Sequence, residues 1–249
     1  MIIVAIIQAR IGSTRLPGKV MKTLHSKTVL GHVISRVKAC PLVDEVVVAT
    51  TVSPQDDVIV AESSRHGAMN FRGSEDNVLE RYYFAAKQFR ADVIVRVTSD
   101  CPLFDPLILS KMLQRFQKGN TKGSHIDYLS NTLTRSFPRG LDTEIFTFDA
   151  LQRTMREASQ PFEFEHVTPY LYRHPEKFVL EEFKSDTNLS NYRWTLDTQE
   201  DFILIDAVFN ALDRGNNHIF STEEVLDFLN ERPELAAINA HIEQKKLGE

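Results

Sequence analysis

Ile2-Ile3-Val4-Ala5-Ile6-Ile7, followed at once by Gln8-Ala9-Arg10-Ile11-Gly12-Ser13-Thr14-Arg15-Leu16-Pro17-Gly18-Lys19, is the stretch that decides the fold. The first six residues are apolar without alternation, which predicts a strand covered on both faces, as inside a parallel sheet. The loop then leaves the carboxyl end of that strand. In open α/β sheets ligands bind at this end, where loops and helix N-termini turn backbone N–H groups toward an anion. Arg10, Arg15 and Lys19 add three fixed cations. Gly12 and Gly18 permit close backbone approach or positive φ, Ser13 and Thr14 supply hydroxyl donors, and Pro17 restricts flexing. Together they predict a polyphosphate site suited to a triphosphate. The spacing fits neither G-x-x-x-x-G-K-[ST], because Val20 follows Lys19, nor G-x-G-x-x-G, which argues against a P-loop ATPase or a nicotinamide dehydrogenase.

Outward from this stretch the first half of the chain alternates strand and helix. Val29, Val33, Ile34 and Val37 recur at helical spacing, Asp44–Thr50 is a strand, and Ser53, Pro54 and Asp56 stand as N-cap, N1 and N3 of the next helix. Met69–Phe71 is a short strand. Ser74 opens a helix with Val78, Tyr82, Ala85 and Phe89 on one face, Asp92–Thr98 is an apolar strand, and Asp105-Pro106 starts another helix. This order predicts an α/β fold with three α/β/α layers on a mostly parallel, Rossmann-like sheet with right-handed crossovers.

After Lys118 the regularity breaks. Lys118–Ser124 reads as a linker, Ile126–Leu129 and Glu144–Phe148 as strands, and Phe148–Ala158 and Phe164–Tyr172 as helices. Strands at Phe178–Phe183 and Tyr192–Leu196 lead into a helix at Gln199–Leu212, and Ser221 with Glu224 caps a last amphipathic helix. The chain is read as one domain, with a nucleotide-binding half at 1–118 and an inserted acceptor-binding and dimer-forming half at 119–249.

Among the 249 residues 42% are hydrophobic and 25% charged, and the net charge is −5. These are values of a soluble globular protein, and the basic loop is a local patch in an acidic chain, which favours a small anionic ligand over nucleic acid. Cys40 and Cys101 have no metal-ligand spacing. With no leader before the first strand and no apolar run near the roughly 18–20 residues that span a bilayer, the expectation is a cytoplasmic protein with no membrane partner.

Two carboxylates suit a metal beside a triphosphate. Asp100, in Val97-Thr98-Ser99-Asp100-Cys101-Pro102, ends a strand at the same sheet edge as the basic loop. Mg²⁺ takes one or two protein carboxylates and fills its other positions with phosphate oxygens and water. Asp197, after Trp194-Thr195-Leu196, is the second candidate, and with Glu200 it also has the spacing of a capping box. Asp105, just before a proline, reads as a helix cap.

Six runs, in chain order, carry a resemblance: Gln8–Lys19, Phe71–Tyr82, Val97–Pro106, Arg139–Glu144, Glu165-His166-Val167-Thr168-Pro169-Tyr170 and Arg193–Asp201. They resemble those of the spore-coat polysaccharide cytidylyltransferase (SpsF-like) family, within a wider group that includes the CMP-N-acetylneuraminate and CMP-Kdo synthetases. The resemblance implies a GT-A-type fold and Mg²⁺-dependent transfer of CMP from CTP to an anionic sugar or sugar-acid acceptor, with release of pyrophosphate, for surface polysaccharide precursors. It implies Arg10, Ser13, Arg15 and Lys19 on the triphosphate, Asp100 and Asp197 on Mg²⁺, and Gly73–Asn77 near base and ribose, although Ser74 also reads as a helix cap.

The resulting candidates are Arg10, Arg15, Lys19 and Asp100 for catalysis, and Gln8, Ala9, Gly12, Ser13, Ser74 and Asp76 beside those cations for the nucleotide. Arg139, Asp142, Glu144, His166, Tyr170 and Arg193, with Arg135, are the candidates for the acceptor. His166 taken alone reads as a hydrogen-bonded packing residue. Because related synthetases dimerise through the second half, a C₂ homodimer is expected. Two other readings are a GT-A glycosyltransferase, disfavoured by the loop cations and the lack of Asp-x-Asp at Asp100, and a non-catalytic nucleotide-binding protein, disfavoured by an intact loop and carboxylate pair.

Overall fold

The structure, a computed structural model, describes residues 1–13, 15–121, 125–215 and 218–244. Thr14 and the 122–124 part of the expected linker lie outside the described residues, while Lys118–Thr121 form the last turn of a helix.

Seven strands form one sheet: β1 (Ile3–Gln8), β2 (Glu45–Thr51), β3 (Met69–Gly73), β4 (Val93–Thr98), β5 (Tyr128–Ser130), β6 (Glu144–Thr147) and β7 (Leu180–Glu182). Their spatial order is β3-β2-β1-β4-β6-β5-β7. The first four are parallel, β6 runs antiparallel to both β4 and β5, and β7 is parallel to β5. The second half thus extends the same sheet.

The unbroken apolar run of β1 has the expected cause. Ile3, Ala5 and Ile7 join one core, with helices Val29–Lys38, Pro106–Thr121 and Gln199–Leu212, and Val4 and Ile6 join the other, with Val78–Gln88 and Phe148–Glu157. These are the three layers. No helix among the described residues is long and apolar enough to cross a membrane.

Several local expectations are corrected. Tyr192–Leu196 is no sheet strand: it runs beside Arg139, with the Arg139 N–H donating to Tyr192 O and the Trp194 N–H to Arg139 O. The approach is tight enough that a Cβ on Gly140, whose φ is +102°, would lie 2.5 Å from the Trp194 carbonyl carbon. Phe164–Tyr172 is two short helices, Pro161–His166 and Pro169–Arg173, and a further helix at Pro233–Ala237 follows the one capped by Ser221. Asn77, not Ser74, caps the Val78–Gln88 helix, and Ser53 makes no side-chain cap. Thr198 and Asp201 form the capping box expected of Asp197 and Glu200. Asp197 is therefore free to point elsewhere.

Candidate functional site

β1 and β4 pair in register up to Gln8 and Thr98, after which the chain passes from β1 to β2 on one flank of the pair and from β4 to β5 on the other, with both intervening helices on the same face of the sheet. This is a topological switch point, where an open parallel sheet forms a crevice. From β1 comes the basic loop, and from β4 the turn bearing Asp100. Gly18, with φ +64°, turns the loop into a short 3₁₀ helix at Lys19–Met21 and brings Lys19 back over the crevice.

The Lys19 ammonium donates to Asp100 Oδ2 at 2.8 Å and to Asp197 Oδ1 at 2.7 Å. The other oxygen of Asp197 meets the guanidinium groups of Arg15 and Arg193, each at 3.0 Å. The sequence separates Lys19 from Asp197 by most of the chain, and the fold places them in contact. Burial alone lowers the Lys19 pKa, but Asp100 and then Asp197 outweigh it and hold the ammonium above its usual range. Burial likewise pushes the Asp100 carboxyl up, and Lys19 outweighs it, leaving the group below the ordinary carboxylate range.

Two carboxylates converging on one cation form a hard-oxygen position of the kind a divalent ion uses with one or two protein ligands. Among the described residues no group of three or more His, Cys, Asp or Glu side chains gathers to hold a metal, so a metal here would rest on this pair and on the substrate's own oxygens.

The basic loop is held from beneath by Asp56. Its buried carboxylate accepts from the Ile11 N–H at 2.8 Å, from Thr51 Oγ1 at 2.5 Å and from the Thr51 N–H at 3.3 Å. Sequence reading gave Asp56 only a helix-start role, because its long-range partner lies 45 residues back. Ala9 is buried, and Gln8 ends β1 with its side-chain Oε1 buried and unpaired among the described residues. Arg10 is half-exposed, 3.6 Å from Glu75, which also lies nearest to a Cβ built on Gly12. Ser13 is half-buried and Asp76 exposed, and the Ser74 hydroxyl accepts from the Asn77 N–H.

Next to the crevice is a cavity of about 380 Å³ lined by residues that include Arg96, Thr98, Arg135, Asp142, Glu144 and His166. Glu144 forms its floor. Its carboxylate accepts from Tyr128 Oη at 2.5 Å and Thr168 Oγ1 at 2.6 Å, and pairs with Arg96. Arg135 grips Asp142 through two parallel bonds, at 2.7 and 3.0 Å. His166 lines the wall, and burial lowers its pKa, which favours the neutral ring. Its ring makes no hydrogen bond to a described residue. The expected hydrogen-bonded packing role is thus not what the geometry gives.

Between His166 and Thr168 the buried Val167 has φ 72° and ψ −54°, and the Thr168 N–H donates to His166 O at 2.9 Å. That is a γ-turn of the strained hand, costly for a β-branched residue and characteristic of positions where surrounding packing fixes a site.

Three acceptor candidates fall outside this cavity. Tyr170 donates its hydroxyl to Glu157 and accepts from Lys177. Arg193 is buried and bound to Asp201, Asp197 and Gln244. Arg139 is half-buried, forms no ion pair with a described residue, and has its pKa lowered by burial and by Arg135. Arg96 and Thr168 were missed, and Arg96 had a signal: a charge within an apolar strand flanked by Val95 and Val97.

The model of the cytidylyltransferase family matches residues 4–242. The chain belongs to that family. A spore coat polysaccharide biosynthesis protein, SpsF of Bacillus subtilis, is 33% identical over 241 residues, spanning 94% of this chain and 96% of its own. The structure of a cytidylyltransferase from Leptospira borgpetersenii serovar Hardjo-bovis has a TM-score of 0.89 and 34% identity over 99% of this chain and 100% of that one. CMP-2-keto-3-deoxy-manno-octonic acid synthetase, solved with CTP, shares the fold at 19% identity, with a TM-score of 0.65 over 85% of this chain and 99% of that one. Family membership makes this a nucleotidyltransferase, and the glycosyltransferase and non-catalytic readings fall away. The mostly parallel mixed sheet between helices is that of the cytidylyltransferases.

Proposed function

We propose that this cytidylyltransferase moves CMP from CTP to a small anionic sugar or sugar-acid acceptor and releases pyrophosphate, in the making of surface polysaccharide precursors. The observation that carries the reading is the meeting of Lys19, Asp100 and Asp197 at the switch point, against the basic loop. The name of SpsF supports the polysaccharide setting, and the synthetase solved with CTP supports the nucleotide.

In this reading Arg10, Arg15 and Lys19 neutralise the triphosphate as an acceptor oxygen bonds to the α-phosphorus and the bond to the β-phosphate bridge breaks. Positioning and fixed charge then do most of the work, as in other phosphoryl transfers. Asp100 and Asp197 would hold Mg²⁺, which supplies charge neutralisation at the phosphates. Gln8, Ala9, Gly12 and Ser13 line the nucleotide's phosphate side, and Ser74 and Asp76 its base and ribose side. The acceptor takes the Glu144-floored cavity, with Asp142 and His166 on its wall, while Arg139, outside that lining, is a candidate cation without an ion pair to a described residue. Residues 1–118 supply the nucleotide side, and 119–249 most of the acceptor side and the seam of a C₂ homodimer.

The test is pyrophosphate release with Mg²⁺, with the four ribonucleoside triphosphates screened against sugar acids, sugar phosphates and phosphonates. Release that requires CTP, one acceptor, Lys19 and Asp100 supports the reading. Turnover that survives Lys19→Ala and Asp100→Ala overturns the assigned site.

A further inference from the structure

We infer that Lys19 is an exchangeable counter-ion: in the free enzyme it sits between Asp100 and Asp197, and it gives way to a divalent cation only when a triphosphate offers its ammonium a new partner. The inference rests on the metal pair proposed above and goes beyond it, because it makes metal and nucleotide binding mutually dependent. Three observations carry it.

The Lys19 ammonium bonds both carboxylates at 2.8 and 2.7 Å, so it occupies the same oxygens a metal would use. Its side chain is only 13% exposed, and Arg15 and Arg193 already hold the second oxygen of Asp197, leaving Oδ1 as the shared position. Lys19 also lies on a short 3₁₀ helix entered through the left-handed Gly18, at the end of the loop whose Arg15 reaches Asp197 as well.

A buried carboxylate and a half-buried one converging on the same point repel each other unless a positive charge stands between them. In the free enzyme Lys19 supplies that charge. A dication arriving alone must displace an ammonium that has nowhere else to bind. A triphosphate brings about four negative charges to the loop, draws the ammonium outward and leaves the carboxylates to the metal. By linkage each ligand then raises the affinity of the other by the same factor. Lys19 is in this sense a gate on metal entry as well as a phosphate ligand.

The test is Mn²⁺ binding to the free protein, without nucleotide, followed by the loss of the free-ion paramagnetic resonance signal. Wild type should bind weakly. Lys19→Met, which keeps the length of the chain and removes the charge, should bind at least tenfold more tightly, and Lys19→Met with Asp100→Asn should lose that gain. A second readout guards against a folding defect: Lys19→Met should melt below wild type in chelator and recover with Mn²⁺, while the wild-type melting temperature stays unmoved by Mn²⁺. Equal affinity of wild type and Lys19→Met in the free state overturns the inference and leaves the metal pair standing. If Mn²⁺ binds neither free protein, nor wild type saturated with CTP in the absence of acceptor, the pair is wrong and the inference falls with it.

Discussion

Removing the Asp56 carboxylate asks whether the basic loop is held from beneath. Asp56 is 2% exposed and its partner Thr51 is 0% exposed. Its three accepted bonds come from the Ile11 N–H, the Thr51 N–H and the Thr51 hydroxyl. Hydrogen bonds to an ionised group contribute about 1.5–3 kcal/mol each, and a buried donor left unpaired costs about 1–3 kcal/mol. In Asp56→Ala the two Thr51 donors stay buried, whereas the Ile11 N–H, on a loop, can turn to water. The expected loss is therefore about 3–5 kcal/mol in urea unfolding. A loop set loose by about 1 Å should also lower kcat/KM for CTP on the order of 10²-fold. Burial alone would raise the Asp56 pKa, but the bonds from Thr51 and Ile11 outweigh it and hold it below the usual range. Its contribution is thus complete above the unfolded carboxylate value and is lost as pH falls through the lower folded one. A variant within about 0.5 kcal/mol of wild type, with unchanged kcat/KM, would refute the reasoning.

Asp105 makes a contrasting case. It accepts from the Leu107 and Ile108 N–H groups with one oxygen and from the Thr222 N–H and hydroxyl with the other, so Asp105→Ala should cost about 3–4 kcal/mol in urea unfolding while KM for CTP stays within twofold. Gly140→Ala should destabilise by about 3 kcal/mol or more, because the added Cβ meets the Trp194 backbone at a positive φ, and should lower CTP turnover by shifting the chain that carries Asp197. Buried His32 donates Nε2–H to Leu24 O, and burial pushes its pKa down to about 4. The unfolded chain then binds more protons than the folded one between the ordinary histidine value of 6.5 and about 4, so stability should fall by about 3 kcal/mol across that window as pH drops. His32→Gln keeps the donor and should flatten that part of the pH profile of the urea midpoint.

The sheet was legible because its signal is local. Ile3–Ile7 are buried from both sides, and both the absence of alternation and the cation-rich loop after it can be read within twenty residues. The Lys19–Asp100–Asp197 cluster was partly legible, since strand ends mark the crevice, but residue spacing also allowed Asp197 to be a helix cap. Only the fold shows that Thr198 and Asp201 take that role and release Asp197 to Lys19. Tyr192–Leu196 misled because its buried Trp194 and Leu196 look like strand residues, yet they pack under Gly140 beside Arg139 instead of joining the ladder. The break at Val167 left no sequence mark, because a β-branched residue is the last expected at a positive φ. Tyr170 and Arg193 were drawn into the acceptor set by neighbours in sequence, and their partners Glu157, Lys177 and Asp201 hold them outside the cavity.

The central claim, that loop cations and the Asp100–Asp197 pair form one nucleotide and metal site, is tested most directly by anomalous diffraction from crystals grown with CTP and Mn²⁺. The account predicts one manganese peak about 2.1 Å from a carboxylate oxygen of each aspartate, with the Lys19 ammonium moved onto the triphosphate within the Arg10–Lys19 loop. Manganese bound away from both aspartates, or a triphosphate seated off that loop, would contradict it.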